Sequence, residues 1–433
     1  MNVNPNVFCN SPWYELHIFW NGDYGFCCQQ PDRPYISLKD NPYNISKMSV
    51  TEWHNSVPMR DARLRMFSND RWSNCQACWK EEDTSLSSRR SRSNQKSVIF
   101  KEQFQDSVEQ SPGYTHFSHS YDNSGDHTGL PIDLHVDLGN YCNLACKMCW
   151  SGASSTIASQ EKQWGILSDN QHLGTDWTRD LAVWDRFLSE IATMPVRNIH
   201  FMGGETLIQP KFEKMIDHLL AQGRTDLNLS FVTNGTSFNQ KLIEKLSNFN
   251  RVGIEVSIEA VSAVNRYVRM GTDTKIVLEN VNKYLEYAND RISVTVRPAV
   301  SALTIRDYYQ LIEYCIDQKL LMKTLVVTSP ATQNIAVLPL SIRKQYRKNY
   351  EDLLSRFDQE TPIDFNESDP NNYMTVLKGY TQQAITLLDQ PEIGNEELLK
   401  ELVDHMKKWD KVYGYDAREI YPELAEILDQ HEY

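Results

Sequence analysis

Three cysteines lie within eight residues, in the stretch that reads N-Y-C-N-L-A-C-K-M-C-W-S over residues 140–151. Cys142, Cys146 and Cys149 have the spacing C-x3-C-x2-C. Three thiolates on one short loop can hold three irons of a [4Fe–4S] cluster and leave the fourth iron open to a ligand. Zinc is the alternative, but it prefers four ligands, usually in C-x2-C pairs. The spacing therefore favours a cluster with one open corner, as catalytic metal sites have.

The same stretch, with Asn143 and Leu144 after its first cysteine, resembles the C-N-L-x-C-x-x-C loop of the radical S-adenosylmethionine (radical SAM) superfamily. The resemblance implies a cluster that binds SAM at its open iron and reduces it to methionine and a 5′-deoxyadenosyl radical. It also implies that Met148 or Trp150, beside the third cysteine, lies against the adenine. For Trp150, packing in the core is an equal alternative.

A G-G-E motif follows a later strand-like run. Gly203 and Gly204 stand at its carboxyl end, where paired glycines let the backbone approach a ligand closely. Alone, this motif would usually be a turn. Its place on the strand after the cysteine loop matches the G-G-E of the same superfamily, which implies that these glycines and Glu205 hold the SAM amino group.

Three further segments match motifs of the superfamily. Asn234 belongs to a T-N-G at the end of the third strand, and Ser257 and Glu259 lie in a variant of S-L-D-G at the end of the fourth. The resemblance implies that Ser257 contacts the SAM ribose or carboxylate. The third segment, N-R-Y-V-R-M-G at 265–271, resembles the Arg/Gly segment of the superfamily, which implies that Arg269 meets the SAM carboxylate, with Arg266 as the competitor. Glu and Ala replace the usual Asp and Gly at 259 and 260, which leaves the role of Glu259 open.

These motifs need a scaffold in which strands and helices alternate. Strand-like runs occupy 132–138, 197–202, 227–233, 252–258, 292–298 and 324–328. Helix-like patterns lie between them at 184–194, 211–220, 241–249, 275–288 and 305–318. The alternation predicts an α/β fold of parallel units with right-handed crossovers. The count matches the partial (β/α)6 barrel that the resemblance implies for residues 132–330.

The predicted barrel strands carry polar residues on one face. In a barrel coated by helices this face turns inward, where charges need partners or a ligand. Two interpretations are equal. Either these groups neutralise one another, as Arg297 and His200 would do for Glu255 and Asp137, or they act on a substrate. The candidate catalytic residues, which the sequence does not rank, are His135, Asp137, Tyr141, His200, Glu255 and Arg297.

A second set of cysteines lies near the amino terminus. A C-x2-C pair with two remote cysteines makes a full four-thiolate site, for zinc or for an iron–sulfur cluster. The spacing alone slightly favours zinc. A G-x4-C pattern followed by C-x2-C resembles the twitch or SPASM auxiliary-cluster domains of radical SAM enzymes, which implies a second [4Fe–4S] cluster. The candidate ligands are Cys9, Cys27, Cys75 and Cys78, with Cys28 able to replace Cys27.

The chain is therefore predicted to have four parts. Residues 1–95 form a small cysteine-rich auxiliary-cluster domain, 96–131 a polar linker or exposed loop, and 132–330 the partial barrel. Residues 331–433 form a helical carboxyl-terminal extension, with helical patterns at 341–357, 396–409 and 418–430.

Composition narrows the class of protein. The 433 residues carry a net charge of −13, which argues against a nucleic-acid backbone as partner. The sequence has no apolar run of about eighteen residues, so we expect no membrane span. The first residues lack the basic and apolar regions of a signal peptide, so we expect a cytoplasmic protein whose nine cysteines serve metal or redox chemistry.

The combined prediction is a radical SAM oxidoreductase or bond-forming enzyme. The resemblance implies an electron from a flavodoxin- or ferredoxin-type reductant and hydrogen abstraction from a substrate C–H. The substrate would be a peptide, a protein or a small metabolite, with the auxiliary cluster assisting. The alternatives are a radical SAM enzyme that modifies RNA, and a non-catalytic iron–sulfur or zinc-binding protein.

Overall fold

The computed structural model describes residues 4–30, 41–83, 88–96, 112–166, 176–359, 372–393 and 396–431. Its strands are β1 Glu15–Ile18, β2 Tyr24–Gly25, β3 Asp133–Asp137, β4 Ala145–Cys146, β5 Asn198–Met202, β6 Asn228–Thr233, β7 Arg251–Val256, β8 Arg269–Met270, β9 Ile292–Val296, β10 Ala299–Val300, β11 Leu321–Met322 and β12 Leu325–Val326.

The α-helices follow the same alternation through the middle of the chain and dominate its last hundred residues. They are Ser11–Tyr14, Val50–His54, Val57–Met66, Gln76–Asp83, Arg89–Lys96, Pro112–Asp122, Ser155–Gln163, Leu181–Thr193, Phe212–Ala221, Gln240–Leu246, Ala263–Val268, Thr274–Leu285, Tyr308–Asp317, Leu340–Gln359, Tyr373–Leu388, Glu396–Tyr413, Ala417–Ile420 and Ala425–Gln430. Within the described ranges, none of these helices is both long and apolar enough to cross a membrane.

Two compact units share the chain. The first contains Met1–Tyr141, Ser151–Phe231 and Lys241–Val252, and the second contains Cys142–Trp150, Val232–Gln240 and Gly253–Tyr433. In the first unit the strand order is β2–β1–β3–β5–β6, with β1, β3, β5 and β6 parallel and β2 antiparallel to β1. In the second unit β9 and β11 pair in parallel. The α/β class and the mostly parallel strands are therefore confirmed.

The helix Leu181–Thr193 shows how the sequence produces these layers. Asp180 caps it, since its carboxylate accepts hydrogen bonds from the amides of Ala182 and Val183. Apolar residues three and four positions apart form one buried stripe: Val183, Trp184, Phe187, Leu188 and Ile191.

The amino-terminal segment contributes to the first unit's sheet, which the sequence did not predict. β1 runs parallel to β3, and His17 lies opposite His135 in the register. β1 alternates polar and apolar residues over only four positions, E-L-H-I, which is too short to give a clear strand signal, and all four are buried.

The predicted linker over 96–131 is wrong for Pro112–Asp122, which is helical. Tertiary packing decides the outcome, because the fully buried Phe117 ring lies 4.8 Å from the ring of Trp13 and 5.2 Å from that of Phe8. Residues 97–111 lie outside the described residues.

The sixth strand and the last helices also differ from prediction. Of the strand expected at 324–328 only β12 forms, and it pairs with β10 in a separate two-stranded sheet; the strand that pairs with β9 is β11, which lies just before the predicted range. The helix expected at 418–430 is interrupted between Ile420 and Ala425, because Pro422 cannot donate a helical hydrogen bond. The helix Tyr373–Leu388 was not predicted; threonines and Gly379 dilute its apolar stripe.

Candidate functional site

The cysteine loop of the second unit is anchored by backbone hydrogen bonds. β4 pairs with β8 in antiparallel fashion, with Cys146 opposite Arg269. The amide of Lys147 donates to the carbonyl oxygen of Val268 at 2.8 Å. Cys142, Cys146 and Cys149 are all half-buried thiols. The loop thus presents three sulfur donors from one short, fixed segment.

Two asparagines tie the start of this loop to the end of β6. The Asn234 amide donates to Asn143 Oδ1 at 2.8 Å, and Asn143 Nδ2 donates to Thr236 Oγ1 at 3.0 Å. Asn234 Oδ1 in turn accepts from the backbone amide of Thr236 at 3.0 Å. Asn234, a predicted SAM contact, therefore has a role in fixing the loop.

Arg269 and Glu259 form a buried two-bond pair. Arg269 donates from Nη2 to Glu259 Oε1 at 2.8 Å and from Nε to Glu259 Oε2, and Glu259 is fully buried. The remaining Nη1 donates to Cys146 Sγ at 3.6 Å. The amide of Ala299 also donates to Glu259, at 3.3 Å. The sequence left the role of Glu259 open. In the structure Glu259 orients the Arg269 guanidinium towards Cys146.

The electrostatics of this trio follow from burial and pairing. Burial lowers the pKa of the Arg269 guanidinium, but Glu259 and Cys146 outweigh burial and raise it, so the group stays charged. Burial raises the pKa of the Cys146 thiol, and Arg269 opposes that rise. A permanent cation beside Cys146 favours its thiolate, the form that binds iron.

Lys147 was not singled out from the sequence, and its surroundings are unusual. Its side chain is fully buried, with Nζ 2.8 Å from the centroid of the Tyr267 ring and 4.8 Å from that of Trp409. Asp410 Oδ1 lies 3.9 Å from Nζ. Burial lowers the pKa of Lys147 well below its usual value, and Asp410 opposes this. The position of a lysine between two cluster cysteines was the only available sequence signal.

Three further residues of this unit were predicted to lie near SAM. Ser257 is buried after β7, and its amide donates to the Thr233 carbonyl at 2.8 Å. Met148 is half-buried. Trp150 is 46% exposed, which removes the alternative that it packs in the core.

Among the candidate catalytic residues of the second unit, Glu255 has two cationic partners. Arg297 and Lys323 both bond to its carboxylate, which is 5% exposed. The predicted neutralisation of Glu255 by Arg297 is therefore confirmed.

The other half of that interpretation is wrong. In the first unit Asp137 accepts a hydrogen bond from His17 Nε2 at 3.2 Å, whereas His200 Nδ1 lies 2.7 Å from Ser230 Oγ. The reason is that β1 places His17 beside β3, a pairing absent from the prediction. His135 Nε2 lies 3.0 Å from Arg89 Nη2. Tyr141 is 54% exposed.

The glycines of G-G-E adopt a conformation that requires glycine. Gly204 has φ +54°, and a Cβ there would lie 2.2 Å from the carbonyl oxygen of Tyr141. Gly203 has φ +81°, with the same consequence against Asp137. Glu205 is buried and its carboxylate accepts from the amide of Leu207 at 3.1 Å. One carboxylate oxygen therefore caps the following turn.

The amino-terminal cysteines converge on one cavity of the first unit. Cys9, Cys27, Cys75 and Cys78 line it together with Arg89 and Arg90. Cys28 is not among the described lining residues, which favours Cys27 as the ligand. Burial raises the pKa of all four lining thiols, that of Cys78 to about 12. Arg89 also bonds to Glu15 at 3.0 Å, a link that sequence reasoning missed.

Both donor sets suit the groups expected at them. Three thiols on one loop, one facing an arginine donor, fit a three-thiolate cluster site, and four thiols around one cavity fit a closed four-thiolate site. All nine cysteines are thiols. Among the described residues, no three His, Cys, Asp or Glu side chains already stand as they would around a metal ion.

Comparison with known proteins locates the family match on part of the chain. Residues 136–315 match the Radical SAM superfamily, a segment that includes the loop 142–149 and excludes the amino-terminal cysteines. The radical SAM cyclopropyl synthase TigE of Paramaledivibacter caminithermalis is 26% identical over 41% of this chain and 36% of its own length.

Two further relatives are similar over comparable parts. The mycofactocin maturase MftC of Mycobacterium ulcerans is 29% identical over 38% of this chain and 40% of its own length. The GTP 3′,8-cyclase of Corynebacterium glutamicum is 25% identical over 53% of this chain and 56% of its own length. The chain thus spans about half or less of the curated relatives it matches. Residues 136–315, less than half of the chain, are thus similar to the radical SAM superfamily, and that similarity implies a [4Fe–4S] cluster and SAM as cofactors.

Proposed function

We propose that this chain is a radical SAM enzyme whose loop cysteines Cys142, Cys146 and Cys149 hold the [4Fe–4S] cluster that cleaves SAM. When bound, the cluster and SAM supply a 5′-deoxyadenosyl radical, which takes a hydrogen atom from a substrate C–H. The residues of the chain supply sulfur ligands, orientation and exclusion of water.

The observation that carries the proposal is the fixed presentation of three thiols with a cation beside one of them. Arg269 bonds to Glu259 twice and donates its remaining Nη1 to Cys146. Such an arrangement holds the loop in one geometry and favours the thiolate. A closed zinc site would instead call for a fourth ligand at this loop.

We propose that SAM is bound by the residues that the sequence predicts for it. The positive-φ glycines Gly203 and Gly204 pack closely against Asp137 and Tyr141, which fixes the G-G-E turn, and Ser257 follows the carboxyl end of β7. Because Glu259 occupies the Nε and Nη2 donors of Arg269, we assign Arg269 to loop positioning ahead of contact with the SAM carboxylate.

The cavity of Cys9, Cys27, Cys75 and Cys78 would hold a second cluster, in keeping with a twitch-like role. Four thiols, three of them buried, with two lining arginines suit an electron-rich, negatively charged thiolate cluster. It would accept an electron from the substrate radical or coordinate the substrate.

The substrate class stays broad in this proposal. The relatives are by name a cyclopropyl synthase, a maturase and a GTP cyclase, so both a peptide residue and a small metabolite are within reach of the same chemistry. Because Glu255 and Arg297 neutralise one another, the side chains proposed to meet the substrate are His135, Asp137 and His200. A flavodoxin- or ferredoxin-type protein would supply the electron.

Anaerobic reconstitution with iron and sulfide, followed by dithionite and SAM, tests the proposal. Wild-type protein should release 5′-deoxyadenosine, and a variant with all three loop cysteines changed to alanine should release none. Cys315→Ala, which removes a buried thiol on the helix Tyr308–Asp317, is the matched control and should behave as wild type. No 5′-deoxyadenosine from wild-type protein with a verified reduced cluster would contradict the proposal.

A further inference from the structure

The carboxyl-terminal helix Glu396–Tyr413 contacts the cysteine loop through Lys147. The lysine side chain is fully buried, and its ammonium lies between the ring of Tyr267 and the ring of Trp409, at 2.8 and 4.8 Å from their centroids. Trp409 and Asp410 both belong to that helix. A residue between two cluster ligands is thus enclosed by an element more than 250 residues further along the chain.

The ammonium has no hydrogen-bond acceptor among the described residues. Lys147 Nζ is buried without such a partner, and Asp410 Oδ1 lies 3.9 Å away from it. A buried ion is costly unless its surroundings compensate for lost water, and here the Tyr267 and Trp409 rings and the Asp410 carboxylate provide that compensation. The helix Glu396–Tyr413 supplies two of these three neighbours of Lys147, Trp409 and Asp410.

The end of the helix is itself fixed against the segment that carries Arg269. The amides of Gly414 and Tyr415 donate to the Asp410 carbonyl at 2.8 and 3.2 Å. The Tyr415 ring packs edge-on to Tyr267, with centroids 5.8 Å apart.

We propose that the helix Glu396–Tyr413 is a clamp for the cluster loop, in which Trp409 and Tyr267 grip Lys147 and so set the positions of Cys146 and Cys149. Lys147 and Trp409 are positioning residues in this account. The inference rests on the proposed function for its consequence, because the clamped loop is the proposed cluster site. The clamp itself exists in the protein without cofactors.

Hydrogen exchange of the cofactor-free chain tests the clamp separately from the chemistry. Trp409→Ala should speed amide exchange in residues 142–150 on the order of tenfold, while β3 and β5 exchange as in wild type. Trp409→Phe, which restores a ring, should return the loop to wild-type exchange. Lys411→Ala, an exposed lysine of the same helix, is the matched control and should change nothing. Unchanged exchange in 142–150 with Trp409→Ala would overturn the clamp.

Reconstituted protein gives the second readout. The reduced loop cluster of Trp409→Ala should show an altered EPR spectrum and lose iron to a chelator several-fold faster than wild type, and Trp409→Phe should restore both. If Trp409→Ala does not fold, Lys147→Ala decides: it keeps the backbone bond to Val268 and should show the same faster exchange and iron loss. Wild-type spectra and iron retention in the folded variant would overturn the proposal. If wild-type protein forms no 5′-deoxyadenosine, the proposed function is contradicted, whereas the exchange result for the clamp stays valid.

Discussion

Two groups of cysteines in this chain differ in how many segments supply their sulfur ligands. Cys142, Cys146 and Cys149 come from one loop, half-buried and held by backbone pairing to β8. Cys9, Cys27, Cys75 and Cys78 come from three separated segments that meet at one buried cavity. The first arrangement leaves a face for a ligand, whereas the second surrounds its occupant. The difference suits a cluster that binds SAM and a cluster that only carries electrons or anchors a substrate.

The two groups also differ in what holds them. The loop depends on polar contacts, from Arg269 to Cys146 and from Asn234 to Asn143. Cys9 and Cys75 belong to an apolar cluster with Phe8, Trp13 and Phe117. We therefore expect substitutions at the loop to change chemistry, and substitutions at the cavity to change cluster content while SAM cleavage continues.

The largest effect is expected for Cys146→Ala. It removes the thiol that faces Arg269, so the loop should retain no [4Fe–4S] cluster and 5′-deoxyadenosine should fall to background. Iron analysis should find the amino-terminal cluster still present. Normal 5′-deoxyadenosine formation in this variant would remove the loop from the account.

Cys75→Ala should remove the amino-terminal cluster and leave the loop cluster in place. Iron should fall from about eight to about four per chain, because one four-thiolate site is lost. Release of 5′-deoxyadenosine without substrate should stay within about twofold of wild type, since the loop is untouched. Iron that stays at the wild-type level would show that the cavity is not a cluster site, and zinc in its place would show a structural metal.

Glu259→Gln sharpens the contrast through stability. The change leaves the Arg269 cation buried without its carboxylate, which should lower the free energy of unfolding by about 3 kcal/mol. Chemical denaturation of the cofactor-free chain measures it. Glu401→Gln, at an exposed position, is the control and should be neutral. An equal effect of the two changes would argue that the buried pair is unimportant.

Loading of the amino-terminal cavity should depend on pH. Burial raises the pKa values of Cys9 and Cys27, so these thiols are protonated near neutrality and each must release a proton to bind metal. Affinity should therefore rise with pH between 6 and 8, as measured by titration with Co(II) in the Cys142/Cys146/Cys149→Ala background. A flat or falling affinity would contradict the protonated state.

The smallest effect is expected for Asn234→Ala. It removes the bonds to Asn143 and Thr236 and should cost about 1 kcal/mol of stability, with a modest change in the EPR spectrum of the reduced loop cluster. Asn248→Ala, on an exposed residue that bonds only to nearby backbone, is the comparison. A loss of cluster as complete as that of Cys146→Ala would mean that Asn234 does more than fix the loop.

Local spacing explains how much of this molecule the sequence could predict. The three loop cysteines and the strands β3, β5, β6 and β9 carry their signal within a few residues, and the prediction located each of them. The pairing of Arg297 with Glu255 was also foreseen, because both residues lie on one face of neighbouring predicted strands.

What could not be predicted depends on distant parts of the chain. His17 bonds to Asp137 only because β1 pairs with β3, more than a hundred residues later. The polar segment Pro112–Asp122 is helical because its Phe117 ring packs against Trp13. The contact between Trp409 and Lys147 joins distant parts of the chain, and no local sequence pattern indicates it. Each of these is a tertiary contact that overrides or supplements local propensity.

EPR spectroscopy of the reduced protein with and without SAM tests the central contrast most directly. In Cys75→Ala, where only the loop cluster remains, adding SAM should shift the spectrum, because the open iron takes SAM as a ligand. In Cys146→Ala, where only the cavity cluster remains, SAM should leave the spectrum unchanged. A SAM-dependent shift in Cys146→Ala, or none in Cys75→Ala, would contradict the assignment of an open site to the loop and a closed one to the cavity.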